Sequence, residues 1–176
     1  PHLPGEYRDI GRPTRITPLY ETLKNAGAVY GDTFGWERAK WYAPAGVEEE
    51  YGFRRNNSFE TVGEECRAVR EAVGLTDLTS FAKYEVTGAD AHTLLERVCA
   101  NRVPAKDGAV VLSQMLTSLG GIESEATVTR LAKDHYYLLS GAVAELHDFD
   151  WLVQHIESGQ DAAVRNMTDD YGVLVL

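Results

Sequence analysis

The residues best suited to chemistry lie in one stretch, GGIESEATVTRLAKDHYYLLSG, at residues 120–141. It contains two strand-like runs, and Ala132, Lys133 and Asp134 between them can form a three-residue hairpin loop. That loop fixes a register with three cross-strand pairs on one side of the ribbon: Thr129 with Tyr137, Thr127 with Leu139, and Glu125 with Gly141. Side chains alternate along a strand, so the intervening positions point to the other side, toward the core: Ala126, Val128 and Tyr136.

This face of the ribbon combines a carboxylate with a phenol. We expect Glu125 to be partly desolvated beside Tyr137 and Leu139, and burial raises the pKa of a glutamate toward the range useful in proton transfer. The Tyr137 ring offers a surface on which a flat heterocycle can stack. Geometry alone also permits a simpler interpretation, in which Glu125 is a solvated surface acid and Tyr137 fills space between strands. Both interpretations stay open on the residues alone.

Two other pairs of residues have reactive side chains but favour simpler roles. His147 and Asp148 look like metal ligands, yet neighbouring helical residues point about 100° apart, and no third ligand follows at a useful spacing. Cys66 and Cys99 lack the spacing of a zinc site or a disulfide framework, so we expect buried thiols. The sequence therefore predicts no metal centre.

Hydrophobic periodicity predicts the elements that hold residues 120–141. FAKYEVTG alternates apolar residues with Lys83 and Glu85, which is typical of a half-buried strand. Helices are predicted at 91–98 and at about 142–157, the second with an apolar face made of Val143, Leu146, Val153 and Ile156. Further strands are predicted in AVVLSQMLT, AAVRNMT and YGVLVL. We expect an α+β fold, a mainly antiparallel sheet with helices on one face.

The composition and the apolar periodicity of the sequence change near residues 52–59, and this change divides the chain. Residues 1–58 form an irregular arm rich in proline and aromatic residues, with one short helix in PLYETLKNAGA, and we expect this arm to pack on a neighbouring domain. Residues 59–176 have regular apolar periodicity and begin with a predicted helix. We expect its apolar face, which comprises Val62, Cys66, Val69 and Val73, to pack on the core. The apolar run at the C-terminus predicts that this second domain is truncated.

Composition excludes some classes of function. The 176 residues carry a formal charge of −10, which disfavours nucleic acid because phosphate binding needs clustered lysine and arginine. The first 59 residues hold 8 basic and 8 acidic side chains, and the rest hold 9 and 19. No apolar run approaches the roughly 20 residues needed to cross a bilayer, and the N-terminus has no signal-peptide pattern. We expect a cytoplasmic protein, or one of the mitochondrial matrix in a eukaryote.

Several blocks of sequence resemble a known family. PLYETLKNAGAVYGDTFGWERAKWYAPAG resembles the segment that precedes the folate domain in the dimethylglycine and sarcosine dehydrogenase family. VREAVGLTDLTSFAKYEVTGADAHTLLERVCANRV, MLTSLGGIESEATV and LLSGAVAELHDFDW are similar to the aminomethyltransferase domain that these enzymes share with the glycine-cleavage T-protein. The resemblance implies that residues 1–58 are a remnant of the oxidoreductase central domain or linker, and that 59–176 are the N-terminal part of the folate-binding domain.

The resemblance also assigns roles to particular residues. In the T-protein motif two glycines and an apolar residue are followed by a variable position and two acids, the second of them catalytic. Gly120–Glu125 fills this motif, which gives Glu125 the catalytic position with glutamate in place of aspartate, and Ser124 replaces the other acid. Leu112, Tyr137 and Leu139 correspond to folate-contacting positions. Gly141 stands where the T-protein has an asparagine.

The function that follows from the resemblance is tetrahydrofolate-dependent one-carbon transfer. The expected ligands are tetrahydrofolate and an iminium derived from an N-methyl amine, supplied by a flavin domain in cis or by a partner subunit. FAD would belong to that separate domain, because this sequence has no GxGxxG fingerprint. Two alternatives remain: a non-catalytic regulatory relative that uses the fold for protein interaction, and a folate-dependent demethylase with another donor.

Overall fold

The structure, a computed structural model, describes Leu3 and residues 6–176. The chain folds as two compact units. One contains the residues up to Ser80 together with Gly172–Leu176, and the other is Phe81–Tyr171. All five candidate site residues belong to the second unit. The boundary expected at residues 58 and 59 stays a prediction.

The first unit is built from short elements. They are α1 (Tyr20–Asn25), β1 (Ala28–Thr33), β2 (Trp36–Tyr42), α2 (Phe59–Glu71) and β3 (Thr76–Asp77). β1 and β2 form an antiparallel hairpin, and its two turn residues, Phe34 and Gly35, have φ of 53° and 84°. Two positive φ values in a two-residue loop match the twist of the flanking strands. β3 pairs with the C-terminal residues Leu174–Val175.

Helix α2 forms where the periodicity predicted it, but its apolar face is not buried. Cys66, Val69 and Val73 are exposed and Val62 is half-buried. The prediction of a core-facing α2, and of a buried Cys66 thiol, was therefore wrong. A helical period shows which side chains share a face, but it does not show that another element packs on that face.

The second unit contains a five-stranded antiparallel sheet. Its strands are β4 (Ala82–Thr87), β5 (Val110–Leu116), β6 (Ile122–Ala132), β7 (His135–Ser140) and β8 (Ala163–Asn166). The spatial order is β5-β6-β7-β4-β8. β6 and β7, which carry most of the candidate site, lie next to each other in the middle of the sheet.

Two helices cover one side of this sheet, α3 (Ala91–Val98) and α4 (Glu145–Gln154). Buried residues of both helices join one core cluster with the inward residues of the strands, among them Leu95, Leu152, Val128, Tyr136 and Leu138. This is the predicted α+β architecture with helices on one face, and the prediction is confirmed.

The buried face of α4 differs from the predicted one. Asp148 and Leu152 are the fully buried residues of α4, whereas Val143, Leu146 and Val153 are exposed and Ile156 is half-buried. Residues 142–144 form a 3₁₀ turn before the α-helix begins. Leu146 and Val153 do share one face of the α-helix, but Asp148 and Leu152 lie on the opposite, buried face, because periodicity shows which side chains share a face and not which face is covered.

Lys83 is also placed differently from the sequence prediction, which put it on a solvated side of β4. Its side chain is fully buried, and Nζ donates hydrogen bonds to the carbonyl oxygens of Phe81, at 2.8 Å, and Thr168, at 3.0 Å. β4 lies between β7 and β8. A long side chain on the face of β4 opposite the helices therefore stays within the protein and reaches backbone carbonyl oxygens instead of water. Burial without such bonds would cost several kcal/mol, on the order of a desolvated charge.

Cys99, at the C-terminal end of α3, is half-buried, and burial raises the pKa of its thiol to about 11. Across the residues that the structure describes, no helix is both long and apolar enough to cross a membrane.

Candidate functional site

The β6–β7 ribbon adopts the predicted register. Thr127 pairs with Leu139 and Thr129 pairs with Tyr137. The connecting turn is one residue shorter than predicted, since β6 continues to Ala132, and a bulge at Leu131 absorbs the difference. A bulge adds one unpaired residue to one strand, so the pairs beyond it keep the register that a longer loop would have given.

Glu125 lies on the face of the sheet opposite the helices. Its neighbour Ala126 is buried in the core, so Glu125 points the other way, where it is exposed. Partial desolvation was expected, and that expectation was wrong. β7 ends at Ser140, one residue short of the position that would face Glu125, so no β7 side chain covers the carboxylate.

The second neighbouring strand does hold this carboxylate. Gln114 of β5 is the cross-strand partner of Glu125, and Gln114 Nε2 donates a hydrogen bond of 2.5 Å to Glu125 Oε2. Oε1 has no hydrogen-bond partner among residues 6–176. The carboxylate is therefore oriented by one amide and keeps one oxygen available for a ligand.

Tyr137, Leu139 and Leu112 share this open face with Glu125. Tyr137 and Leu139 are half-buried, and Leu112 is 49% exposed. Thr127 pairs with Leu112 on one side and with Leu139 on the other, so the leucines flank a single threonine. Burial, with a smaller contribution from Tyr171, raises the pKa of the Tyr137 phenol and keeps it protonated at neutral pH.

Gly141 follows β7 directly and leaves room beside this face. Its backbone is extended, with φ −69° and ψ 142°, and the nearest atom to a Cβ added there is Val143 Cγ1 at 3.9 Å. The glycine is therefore not required by strain or by crowding. It leaves an open space at the end of β7 that a side chain would fill.

Taken together, the open face has one available carboxylate oxygen, one protonated phenol, two apolar side chains and an unfilled space. Such a set fits a flat, partly apolar heterocycle with ring nitrogens, since the apolar side chains contact its faces and the oxygens accept or donate hydrogen bonds. The carboxylate can accept a proton or stabilise a nearby cation.

Sequence reasoning missed Gln114 and the buried state of Lys83. The signal for Gln114 was present in the run AVVLSQMLT, where alternation puts Leu112 and Gln114 on one face, but the pairing with β6 was needed to bring it to Glu125. Lys83 pairs with Leu139 and lies fully buried in the same sheet. Its sequence context, a lysine between apolar residues, is also typical of an exposed strand position.

His147 and Asp148 lie away from this face, at the start of α4. His147 contacts Asp148 and Glu123 through its two ring nitrogens. Within the described part of the chain there is no group of three or more histidine, cysteine, aspartate or glutamate side chains arranged to hold a metal ion.

Comparison with known proteins identifies the family. Residues 19–176 match the family model described as GCVT N-terminal domain. The chain is 39% identical over 175 residues to mitochondrial dimethylglycine dehydrogenase of Mus musculus. This alignment covers 97% of this chain and 20% of that protein. It is 27% identical over 204 residues to mitochondrial sarcosine dehydrogenase of Homo sapiens, covering 93% of this chain and 22% of that protein. The chain thus spans about a fifth of the length of these relatives.

A solved structure shows the same fold. It is the glycine cleavage system aminomethyltransferase T from Bartonella henselae, with a TM-score of 0.73 at 24% identity, covering 88% of this chain and 38% of that one. These matches confirm the predicted resemblance. The chain belongs to the GCVT N-terminal domain family, and over almost its whole length it is similar to dimethylglycine and sarcosine dehydrogenases.

Proposed function

We propose that this chain is the tetrahydrofolate-binding one-carbon transfer module of an N-methyl amine dehydrogenase of the dimethylglycine or sarcosine type. The family membership supports a folate-dependent role at a coarse level. The observation that carries the finer proposal is the placement of Glu125 on one sheet face with Leu112, Tyr137 and Leu139, with one oxygen held by Gln114 and the other available.

In this proposal the open face binds the pterin ring. Leu112, Leu139 and the Tyr137 ring contact the faces of the heterocycle, and one edge of it faces Gly141 across the space that the glycine leaves open. The folate supplies a nucleophilic nitrogen that takes up a one-carbon unit. Oxidation of the methylated amine belongs to a flavin domain in cis or to a partner subunit, which delivers the iminium. Dimethylglycine dehydrogenase of Mus musculus is mitochondrial by name, and we propose the same compartment if this protein is eukaryotic.

Glu125 has two tasks in this proposal. Its free Oε1 accepts the proton that the nucleophilic nitrogen must lose, and its negative charge stabilises the cation that develops as the carbon–nitrogen bond forms. The hydrogen bond from Gln114 to Oε2 fixes the direction of Oε1. Orientation matters because a displacement of about 1 Å in a catalytic group can cost on the order of 10²-fold in rate.

The test is Glu125→Gln in the complete polypeptide that carries this sequence. Glutamine preserves the size and one hydrogen-bonding oxygen but cannot accept the proton. We expect the affinity for tetrahydrofolate, measured by pterin fluorescence, to change by less than about threefold, and one-carbon capture from dimethylglycine or sarcosine to fall by roughly 10²- to 10⁴-fold.

The matched control is Asp134→Asn, which removes the same charge from the exposed turn of the same ribbon. We expect it to leave binding and capture unchanged. Undiminished capture in Glu125→Gln would remove this residue from the mechanism. A complete polypeptide that fails to bind tetrahydrofolate would instead favour the non-catalytic regulatory alternative.

A further inference from the structure

His147 connects α4 to the β-strand that carries Glu125. Its Nε2 lies 2.7 Å from Glu123 Oε1, and its Nδ1 lies 3.0 Å from Asp148 Oδ1. Glu123 precedes Glu125 by two residues in β6, whereas Asp148 is in the first turns of α4. One imidazole therefore bridges carboxylates on two different elements.

The Asp148 carboxylate needs a compensating positive charge, which this bridge can supply. Asp148 is fully buried, and its Oδ2 has no hydrogen-bond partner within the described part of the chain. A buried carboxylate is costly unless a cation or several donors compensate it, and the N-terminal end of a helix offers only partial compensation. The imidazolium form of His147 supplies a positive charge, and its two N–H groups allow it to donate to both carboxylates at once.

The strand segment held by this bridge pairs with a neighbouring strand on one side only. The β5–β6 register shifts between Met115 and Leu116, where Ser124 and Ile122 are paired but Glu123 is not. On the other side β7 has already ended at Ser140. Gly120, with φ of +80°, lies just before the segment. The His147 contact therefore fixes a bulged end of β6 that only one neighbouring strand supports.

We propose that His147 is a positioning residue, which ties Glu123 to α4 and thereby sets the placement of Glu125. This inference rests on the proposed function, because it concerns the residue assigned to proton transfer there. The titratable groups at the bridge are Glu123 from β6 and Asp148 from α4. Tyr84 of β4 is an electrostatic neighbour of Asp148 and Glu145, and its hydroxyl donates to the Glu145 carbonyl oxygen at 2.8 Å.

The bridge depends on pH in a defined direction. Hydrogen bonds to Asp148 and then to Glu123 raise the pKa of His147 above its ordinary value. A group whose pKa is raised on folding stabilises the structure while it is protonated, and that contribution is lost as the pH rises through the raised pKa. Above it the neutral ring has a single N–H and can donate to only one of the two carboxylates.

Hydrogen–deuterium exchange of the complete polypeptide tests the bridge without any ligand. After correction for the intrinsic pH dependence of exchange, we expect the amides of residues 121–126 to exchange several-fold faster in His147→Gln than in the wild type. His147→Lys, which keeps a positive charge to higher pH, should retain slow exchange on the alkaline side where the wild type loses it. The matched control is His155→Gln, the same substitution at the end of the same helix, with no expected change in this segment.

Kinetics then test the effect on Glu125. We expect His147→Gln to lower kcat for one-carbon capture about tenfold, with KM for tetrahydrofolate changed less than twofold, and His147→Lys to shift the alkaline limb of the pH profile upward. If His147→Gln does not fold, Glu123→Ala removes the same hydrogen bond from the strand side, because alanine has no acceptor. Exchange in residues 121–126 equal to that of the His155→Gln control overturns the proposal, and so does faster exchange with an unchanged kcat. Wild-type protein without capture would overturn the proposed function, while the exchange data would still decide whether the bridge exists.

Discussion

At the scale of single residues, Gly141 offers the clearest test of the proposed pterin contact on the open face. The T-protein resemblance puts an asparagine at this position, and the extended backbone and open space around Gly141 accept a side chain. We expect Gly141→Asn to tighten tetrahydrofolate binding about 2- to 10-fold, because one added hydrogen bond contributes roughly 0.5–1.5 kcal/mol. Fluorescence titration measures this. Gly141→Ala adds the Cβ without the amide, and equal affinities of the two variants would contradict a hydrogen bond.

The common face of the candidate site residues could be predicted from the sequence, but their exposure could not. Alternation along the ribbon placed Glu125, Tyr137 and Leu139 on one face, and the register in the structure agrees. Whether Glu125 is covered depends on where β7 ends, and its contact with Gln114 depends on the pairing of β5 with β6. The end of β7 and the pairing of β5 with β6 are properties of neighbouring strands. Neither can be predicted from the residues around Glu125.

At the scale of elements, the hairpin shows how a correct register can follow from an incorrect loop. The loop was predicted as three residues, while the structure has a two-residue turn with a bulge at Leu131. The alternation of apolar residues on both strands fixes which faces must be buried, and this constraint selects the register more strongly than the turn does. For Lys83 the alternation was predicted correctly but the exposure was not, because an alternating pattern cannot show that a central strand is covered on both faces.

At Gly88, in the turn between β4 and α3, an added side chain would clash with the backbone of a neighbouring segment. Gly88 has φ of +115°, and a Cβ there would lie 2.3 Å from the carbonyl oxygen of Asp161. We expect Gly88→Ala to lower the free energy of unfolding by about 2–4 kcal/mol, since both backbone strain and a contact with backbone atoms oppose it. Urea unfolding followed by circular dichroism measures the change. Gly141→Ala, at negative φ and in open space, should change stability by less than about 1 kcal/mol, and equal effects of the two substitutions would rule out the strain.

At the scale of the whole molecule, the two units differ in how much apolar surface they bury. In the first unit Trp36 and Trp41 are the buried hydrophobic residues among those described, whereas the second unit contains the entire core cluster around β4, β6 and β7. Burial of apolar surface is the dominant favourable contribution to folding, and local opening is easiest where few apolar contacts must be broken. We expect amides of β1, β2 and α2 to exchange at least tenfold faster than those of β4, β6 and β7 in hydrogen–deuterium exchange of this chain. Exchange at one common rate across both units would show that they unfold together, and that the smaller core of the first unit does not limit its stability.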